Sequence, residues 1–316
     1  MVHDWKKFAA SCLFGMILVW LLNSWAWAGQ APRVLVSIKP IHALVAAVMK
    51  GVGDPKVMLQ GSASPHTYAL RPSEASSLRH ADVVFWVGED LESFLVKPML
   101  QLAGKASLIA LSQAPGVQLL PNRQLGSVTE PSEHHEDAAA DAHHHGTQDM
   151  HVWLSPANAV AMVEEIRRVL SELDPKHMDK YLENAQKITK KIQSFDDSAK
   201  KRLATVGNRP FVVFHDAYHY FEKHFSLNNA GSISFSPERP VSVKRLHEIQ
   251  ETIKTTHAVC LFAEPQFQSA LVETIVRDTG IKKGVLDPLG VDTPKGEEGW
   301  FVLMNRLVDA LVGCLL

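Results

Sequence analysis

The sequence has little cysteine and no strong excess of either charge. Its 316 residues include 3 cysteines, 32 Lys and Arg, and 34 Asp and Glu, which give a formal net charge of -2. The basic residues do not cluster as they do in nucleic-acid-binding proteins, which argues against a nucleic-acid partner. Internal repeats with a solenoid period are also lacking. The length suits two domains of about 100 to 150 residues each.

Long apolar runs are lacking as well, apart from one near the start of the chain. There, Lys6 and Lys7 precede an apolar run, and small residues at Ala26 and Ala28 fit a signal-peptidase site. The run is short for a membrane span, and no basic stop-transfer cluster follows it. Residues 1–28 are therefore predicted to be a cleaved signal peptide, and the mature protein to be soluble and periplasmic.

One of the three cysteines, Cys12, lies in that segment, which leaves Cys260 and Cys314 in the mature chain. An oxidising compartment permits these two to pair, and an even count fits one disulfide. Two free buried thiols are the alternative. With only two cysteines, the sequence argues against a metal site built from thiolates.

Short apolar strands alternate with helical patterns in both halves of the mature chain. The predicted strands are RVLVSI (33–38), KVML (56–59), DVVFWVG (82–88), FVVF (211–214), HAVCLFAE (257–264) and GVLDP (284–288). Strands that are apolar almost throughout, with helices between them, are typical of parallel α/β construction.

A long helical pattern separates the two halves. Ser155 and Pro156 supply an N-cap and a first-turn proline for one helix, and Asp174-Pro175 starts a second pattern that runs to about Val206. A helix of about 30 residues spans about 45 Å, which is too long for one small domain.

The predicted fold is therefore α/β, with two lobes that each contain a mainly parallel sheet flanked by helices. One long rigid helix joins the lobes. The predicted boundaries are an N-terminal lobe at 29–173, a linking helix at 174–207 and a C-terminal lobe at 208–316.

Residues 130–149 form a segment rich in histidine and acidic residues. Its apolar content is too low for packing, so we expect a solvated flexible loop. Imidazole is the commonest protein ligand for metals such as zinc, and neighbouring carboxylates raise the local cation concentration. A charged linker with accidental histidines is the alternative. We interpret the segment as an auxiliary metal-binding loop, with candidate ligands His134, His135, His143, His144 and His145.

Other candidate ligands come after apolar strands. His66 follows KVML, His215 follows FVVF, and Asp287 follows GVL, while His151 lies between the loop and a helix start. In open parallel sheets, ligands bind where the carboxyl ends of strands converge. Three imidazoles and one carboxylate brought in from both lobes would give a four-ligand site that suits zinc.

A second histidine, His219, lies four residues after His215. This spacing can place two imidazoles on one helix face, but the glutamate of the HExxH zinc-protease motif is lacking. We choose His215 as the ligand because of its position at a strand end, and expect His219 to support the site or an interface.

Five motifs in this order carry a family resemblance: GSASPHTYALRPSE, HVWLSP, FVVFHDAYHYFE, FAEPQF and LDPLG. Together they resemble the zinc-binding periplasmic component of ABC-type importers, the ZnuA-like members of the metal-specific cluster of solute-binding proteins. The resemblance covers essentially the whole mature chain. It implies two α/β lobes, a rigid linking helix, and a metal held in the interlobe cleft by His66, His151 and His215.

The resemblance also bears on the residues around that metal. Asp287 matches a carboxylate ligand of manganese-binding relatives, so either Asp287 or water is the implied fourth ligand. Pro65 stands where some zinc-binding relatives have an acidic residue, which removes a carboxylate from that side. Glu264 is expected to accept the second N–H of a ligand imidazole. The family pattern further includes a disulfide that matches Cys260 and Cys314.

The function implied is that of a high-affinity zinc-binding protein, with no enzymatic activity, that delivers Zn²⁺ to an ABC-type permease in the inner membrane. His215 stands where manganese-binding relatives have a carboxylate, which favours zinc. We expect a monomer whose His-rich loop captures metal, senses its excess or contacts a periplasmic metal chaperone. Three alternatives remain: a family member for manganese or another divalent metal, a His-rich metal-buffering or adhesin-like surface protein, and a secreted zinc hydrolase, for which a hydrolase motif is lacking.

Overall fold

The computed structural model describes residues 31–123, 147–234, 241–267 and 270–316. The predicted signal peptide, residues 1–28, lies outside these ranges. Within them, no helix has both the length and the apolar content needed to cross a membrane.

A parallel sheet with flanking helices forms the first lobe. Its strands are β1 (Val34–Val36), β2 (Lys56–Val57), β3 (Val83–Trp86) and β4 (Ser107–Ala110). Its helices are α1 (Lys39–Val48), α2 (Pro72–His80) and α3 (Ser93–Leu102). The strand order is β2-β1-β3-β4, and all pairs are parallel. β1 is buried along its whole length, as expected for a central strand covered on both faces.

A second parallel sheet forms the other lobe. Its strands are β7 (Phe211–His215), β8 (Asn229–Ser234), β9 (Cys260–Ala263) and β10 (Lys282–Val285). Helices α6 (His219–Phe225), α7 (Val243–Thr256) and α8 (Ala270–Thr279) belong to this lobe. The strand order is β10-β9-β7-β8, again parallel throughout.

A small antiparallel pair lies between the two sheets in the chain. It joins β5 (Leu120–Pro121) to β6 (Gln148–Asp149). The sequence had assigned residues 130–149 to a flexible loop, but Gln148 and Asp149 form β6, and Asp149 is buried. Residues 130–146 of that loop lie outside the described ranges.

Two helices lead from the first lobe to the second. α4 (Pro156–Leu173) begins at the predicted cap, where the Ser155 hydroxyl accepts a hydrogen bond from the backbone N–H of Asn158. α5 (Met178–Leu203) has 26 residues and therefore spans about 39 Å. The predicted two-lobed α/β fold with a long linking helix is confirmed.

The C-terminal helix α9 (Gly299–Leu315) packs against the linking helix and ties the lobes together. Trp300 of α9 meets Phe195 of α5 edge to face, with ring centroids 5.5 Å apart. The Trp300 indole N–H donates to the backbone carbonyl of Trp153, and the Trp153 indole N–H donates to that of Pro288. One hydrophobic core therefore continues from the first sheet through α5 and α9 to the second.

A disulfide fastens α9 to the second sheet. Cys260, the first residue of β9, is bonded to Cys314 in the last turn of α9, and their Cα atoms lie 6.1 Å apart. The bond lies at the amino-terminal edge of the sheet, which is the edge opposite to the candidate ligands.

Candidate metal centre

Three histidines from separate parts of the fold converge at the carboxyl edges of the two sheets. His66 lies in the loop between β2 and α2 and is partly buried, whereas His151 and His215 are only 7% and 5% exposed. His151 directly precedes a short 3-10 turn at Val152–Leu154, and His215 is the last residue of β7. One ring nitrogen from each histidine lies within 4.8 Å of the other two.

The spacing of the three rings suits a single small cation. The ring centroids of His151 and His215 are 5.0 Å apart, and those of His66 lie 5.5 Å from His215 and 5.8 Å from His151. Zn–N bonds of about 2.0–2.1 Å in tetrahedral geometry place ligand nitrogens about 3.4 Å apart. A short inward movement of the imidazoles is therefore enough to coordinate one zinc ion.

A buried carboxylate orients His151. Asp149 Oδ1 lies 2.7 Å from Nδ1 of His151 and also accepts the backbone N–H of His151 at 2.9 Å. With Nδ1–H donated to the carboxylate, Nε2 of the neutral ring is left as the metal-binding atom. Asp149 was not predicted to contribute, because it stands among the acidic residues assigned to the solvated loop. Its position two residues before a ligand, as in an Asx turn, is the signal that was available.

The Glu264 carboxylate lies beside Nδ1 of His215, as the Asp149 carboxylate lies beside Nδ1 of His151. Glu264 follows β9 directly, is 5% exposed, and its Oε2 lies 3.4 Å from Nδ1 of His215. Burial lowers the pKa of His215, but the neighbouring Glu264 carboxylate outweighs burial and raises it above its ordinary value. Glu264 therefore lies where its carboxylate can accept the Nδ1–H of His215.

Asp287 follows β10, but its carboxylate is engaged with its own loop. It accepts the backbone N–H groups of Leu289, Gly290 and Val291 and the side-chain amide of Gln266, at 2.6–3.1 Å. Over the described ranges, the group of side chains close enough to share one ion contains the three histidines without Asp287.

His219 is not part of this group of three histidines. Nδ1 of His219 lies 3.9 Å from Oδ2 of Asp149, so His219 contacts the carboxylate that orients His151. It begins α6 while His215 ends β7, so the two do not share a helix face. The loop candidates lie outside the described residues: His134, His135, His143, His144 and His145.

Comparisons with known proteins agree with this architecture. The model of the family described as ZnuA, the periplasmic zinc-uptake complex component A, matches residues 34–314. The high-affinity zinc uptake system protein ZnuA of Brucella abortus (strain 2308) is 40% identical over 314 residues, which cover 91% of this chain and 93% of that protein. The protein of the same name from Yersinia pestis is 38% identical over 322 residues and covers 100% of both chains.

A solved structure shows the same fold. A crystal structure of ZnuA matches with a TM-score of 0.76 at 23% identity, covering 90% of this chain and 100% of that one.

Proposed function

We propose that this chain, which belongs to the ZnuA family of periplasmic zinc-uptake components, captures Zn²⁺ between its lobes and delivers it to an ABC-type permease in the inner membrane. The observation that carries the proposal is the convergence of His66, His151 and His215, with ring nitrogens within 4.8 Å of one another. Three imidazoles suit zinc better than manganese, which prefers oxygen ligands.

The fourth coordination position is assigned to water or Asp287, and the hydrogen bonds of Asp287 favour water. Moving this carboxylate onto the metal would leave the N–H groups of Leu289, Gly290 and Val291 without their acceptor. A buried donor that loses its partner costs about 1–3 kcal/mol. Water needs no such rearrangement.

Transport accounts for the site better than hydrolysis does. A catalytic zinc site with three protein ligands also needs a general base beside the open position. Two carboxylates beside the histidines, Asp149 and Glu264, are each paired with an imidazole of the site. The acidic group that follows His215, Asp216, is paired with Arg123.

The proposal also assigns roles to two segments outside the described residues. Residues 1–28 act as the export signal, and the His-rich segment gathers zinc or receives it from a periplasmic chaperone. The protein acts as a monomer.

Complementation in a zinc-importer deletion strain of a Gram-negative bacterium tests the function. Under zinc limitation, the wild-type chain and the control His80→Ala, which changes an exposed histidine, should restore growth. His215→Ala should not, and excess zinc should rescue every strain. Equal growth with His215→Ala would refute transport through this site.

A further inference from the structure

The β5–β6 pair, which precedes His151, is held by the second lobe. The hydroxyl of Tyr220, in α6, accepts the backbone N–H of Leu120 in β5 at 2.9 Å. The same hydroxyl donates to the backbone carbonyl of Asp149 in β6 at 2.6 Å. One side chain of the second lobe thus contacts both strands of the pair.

Arg123 makes the second connection. Its Nε lies 3.1 Å from both carboxylate oxygens of Asp216, and its Nη2 lies 2.7 Å from Oδ1. Nη2 also contacts Glu222, whose other oxygen accepts a hydrogen bond from Asn229. This guanidinium therefore joins the end of β5 to the end of β7 and to α6.

The contacts of Arg123 are shielded from water. The side chains of Arg123, Asp216 and Glu222 are 23%, 11% and 3% exposed. Burial lowers the pKa of the Arg123 guanidinium, but the two carboxylates outweigh burial and raise the pKa above its usual value. Removing one partner of such a buried cluster leaves uncompensated charge, so the contact is hard to break once formed.

These contacts fix the two elements that carry His151 and His215. His151 follows β6 and is oriented by Asp149, so the position of its ring depends on the β5–β6 pair. His215 belongs to β7, to whose end Arg123 is bound through Asp216. The loop of His66 is anchored separately in the first lobe, where the Tyr68 hydroxyl donates to Glu74 and the Tyr68 ring meets that of Phe94.

We propose that Arg123 is a positioning residue for the metal site: by clamping the β5–β6 pair to α6 and β7, it sets His151 against His215 before the metal arrives. His66, in the first lobe, then completes the site. Ordering two ligands in advance lowers the entropic cost of binding. This inference rests on the proposed zinc-binding function.

Zinc affinity, measured by competition with chelators of known affinity, tests the proposal. Arg123→Ala should weaken binding about 10-fold to 100-fold, the range seen when the groups that orient metal ligands are removed. The matched control is Arg202→Ala, which breaks an exposed ion pair with Asp309 and should leave the affinity unchanged.

Double variants separate positioning from general destabilisation. If Arg123 acts through His151, Arg123→Ala should still weaken binding in a His66→Ala background and should have almost no further effect in a His151→Ala background. An equal loss in both backgrounds, or no loss in the wild-type background, would overturn the proposal.

Two further measurements keep the outcome interpretable. If Arg123→Ala does not fold, Tyr220→Phe removes the hydroxyl that connects α6 to the β5–β6 pair, with little change in volume, and should show the same pattern with a smaller loss. If the wild-type protein itself lacks a tight zinc site, the proposed function fails. If it has the site but the pattern is absent, only the inference about Arg123 fails.

Discussion

At the scale of single residues, each buried imidazole of the candidate metal centre is paired with a buried carboxylate. Asp149 accepts from His151 and Glu264 lies beside His215, so both rings present the opposite nitrogen to the cleft. The candidate histidines that follow strands were visible in the sequence because polar residues at strand ends stand out after apolar runs. Asp149 was not predicted, because it was grouped with the other acidic residues of the segment and its place two residues before His151 was not used.

Replacing Asp149 tests this orienting role. In Asp149→Asn, the acceptor loses its charge and holds the His151 ring less firmly, so zinc affinity should fall about 10-fold to 100-fold. Asp309→Asn, the same chemical change at an exposed ion pair, is the control and should not alter binding. Chelator competition measures both. Unchanged affinity in Asp149→Asn would mean that this hydrogen bond does not support the site.

Glu92 is a buried acid outside the metal site. Its Oε2 accepts the backbone N–H groups of Val87 and Gly88, and its side chain sits in the core of the first lobe. Burial raises the pKa of Glu92 from 4.5 to about 7. Because the folded-state pKa lies above the unfolded value, the stabilising contribution of protonated Glu92 is complete below about pH 4.5 and is lost as the pH rises to about 7.

Glu92→Gln should remove this pH dependence. Relative to wild type, the free energy of unfolding of Glu92→Gln should increase between pH 5 and pH 8 by up to roughly 3 kcal/mol, the equivalent of the pKa shift. Urea unfolding at the two pH values provides the comparison. If the free energies of unfolding of variant and wild type differ by the same amount at pH 5 and at pH 8, Glu92 does not titrate in this range.

At the scale of elements, the sequence predicted best where local chemistry and burial agree. α4 begins at the predicted Ser155-Pro156 cap, and α5 follows Asp174-Pro175 as expected. The central strands β1, β3, β7 and β9 were visible as apolar runs.

The strands that escaped prediction are β4, β5, β6 and β8. β4 and β8 are edge strands, and β8 has the weakly apolar sequence NAGSIS. The β5–β6 pair is only two residues long on each side, and its partners come together across the His-rich segment. Short edge strands bury less surface, so their sequences carry a weaker periodic signal.

The disulfide gives a prediction at this scale. Cys260 and Cys314 are separated by 54 residues, a loop for which the chain-entropy model gives a stabilisation of about 4 kcal/mol. Replacing both with serine should lower the free energy of unfolding by about that amount. Zinc affinity should stay the same, because Cys260 and Glu264 lie at opposite ends of β9. A large loss of affinity would show that the bond also shapes the site.

At the scale of the whole molecule, two sets of contacts hold the lobes together. The β5–β6 pair of the first half binds α6 and β7, while the loop after β10 returns to α1. There, the Lys39 ammonium donates to the carbonyls of Gly290, Val291 and Thr293. Gly290 has a φ of +67°, and a Cβ there would lie 2.7 Å from Thr293, so the turn requires glycine.

Sequence patterns could not predict these contacts between the lobes. Arg123 and Asp216 are 93 residues apart, and Lys39 and Val291 are 252 apart. Periodicity predicts which face of an element is buried, but it does not identify the distant partner that covers it. The two-lobed architecture and the three histidines were predictable, whereas the way the second lobe holds the segment before His151 was not.

The pairing of residues 147–149 with residues 120–122 decides which residues a deletion of the His-rich loop should spare. The carbonyl of Thr147 accepts the backbone N–H of Asn122, and Gln148 pairs with Pro121. A deletion that includes these residues would disturb the strand that leads to His151. Removing residues 133–146 leaves the β5–β6 pair intact.

The most direct test of the central claim is a calorimetric zinc titration of the metal-stripped mature protein, its His215→Ala variant and the 133–146 deletion. We expect one tight site in the wild type and in the deletion, with only weaker binding lost in the deletion. We expect His215→Ala to lack the tight site. Retention of the tight site in His215→Ala, together with its loss in the deletion, would contradict an interlobe site and identify a His-rich metal buffer.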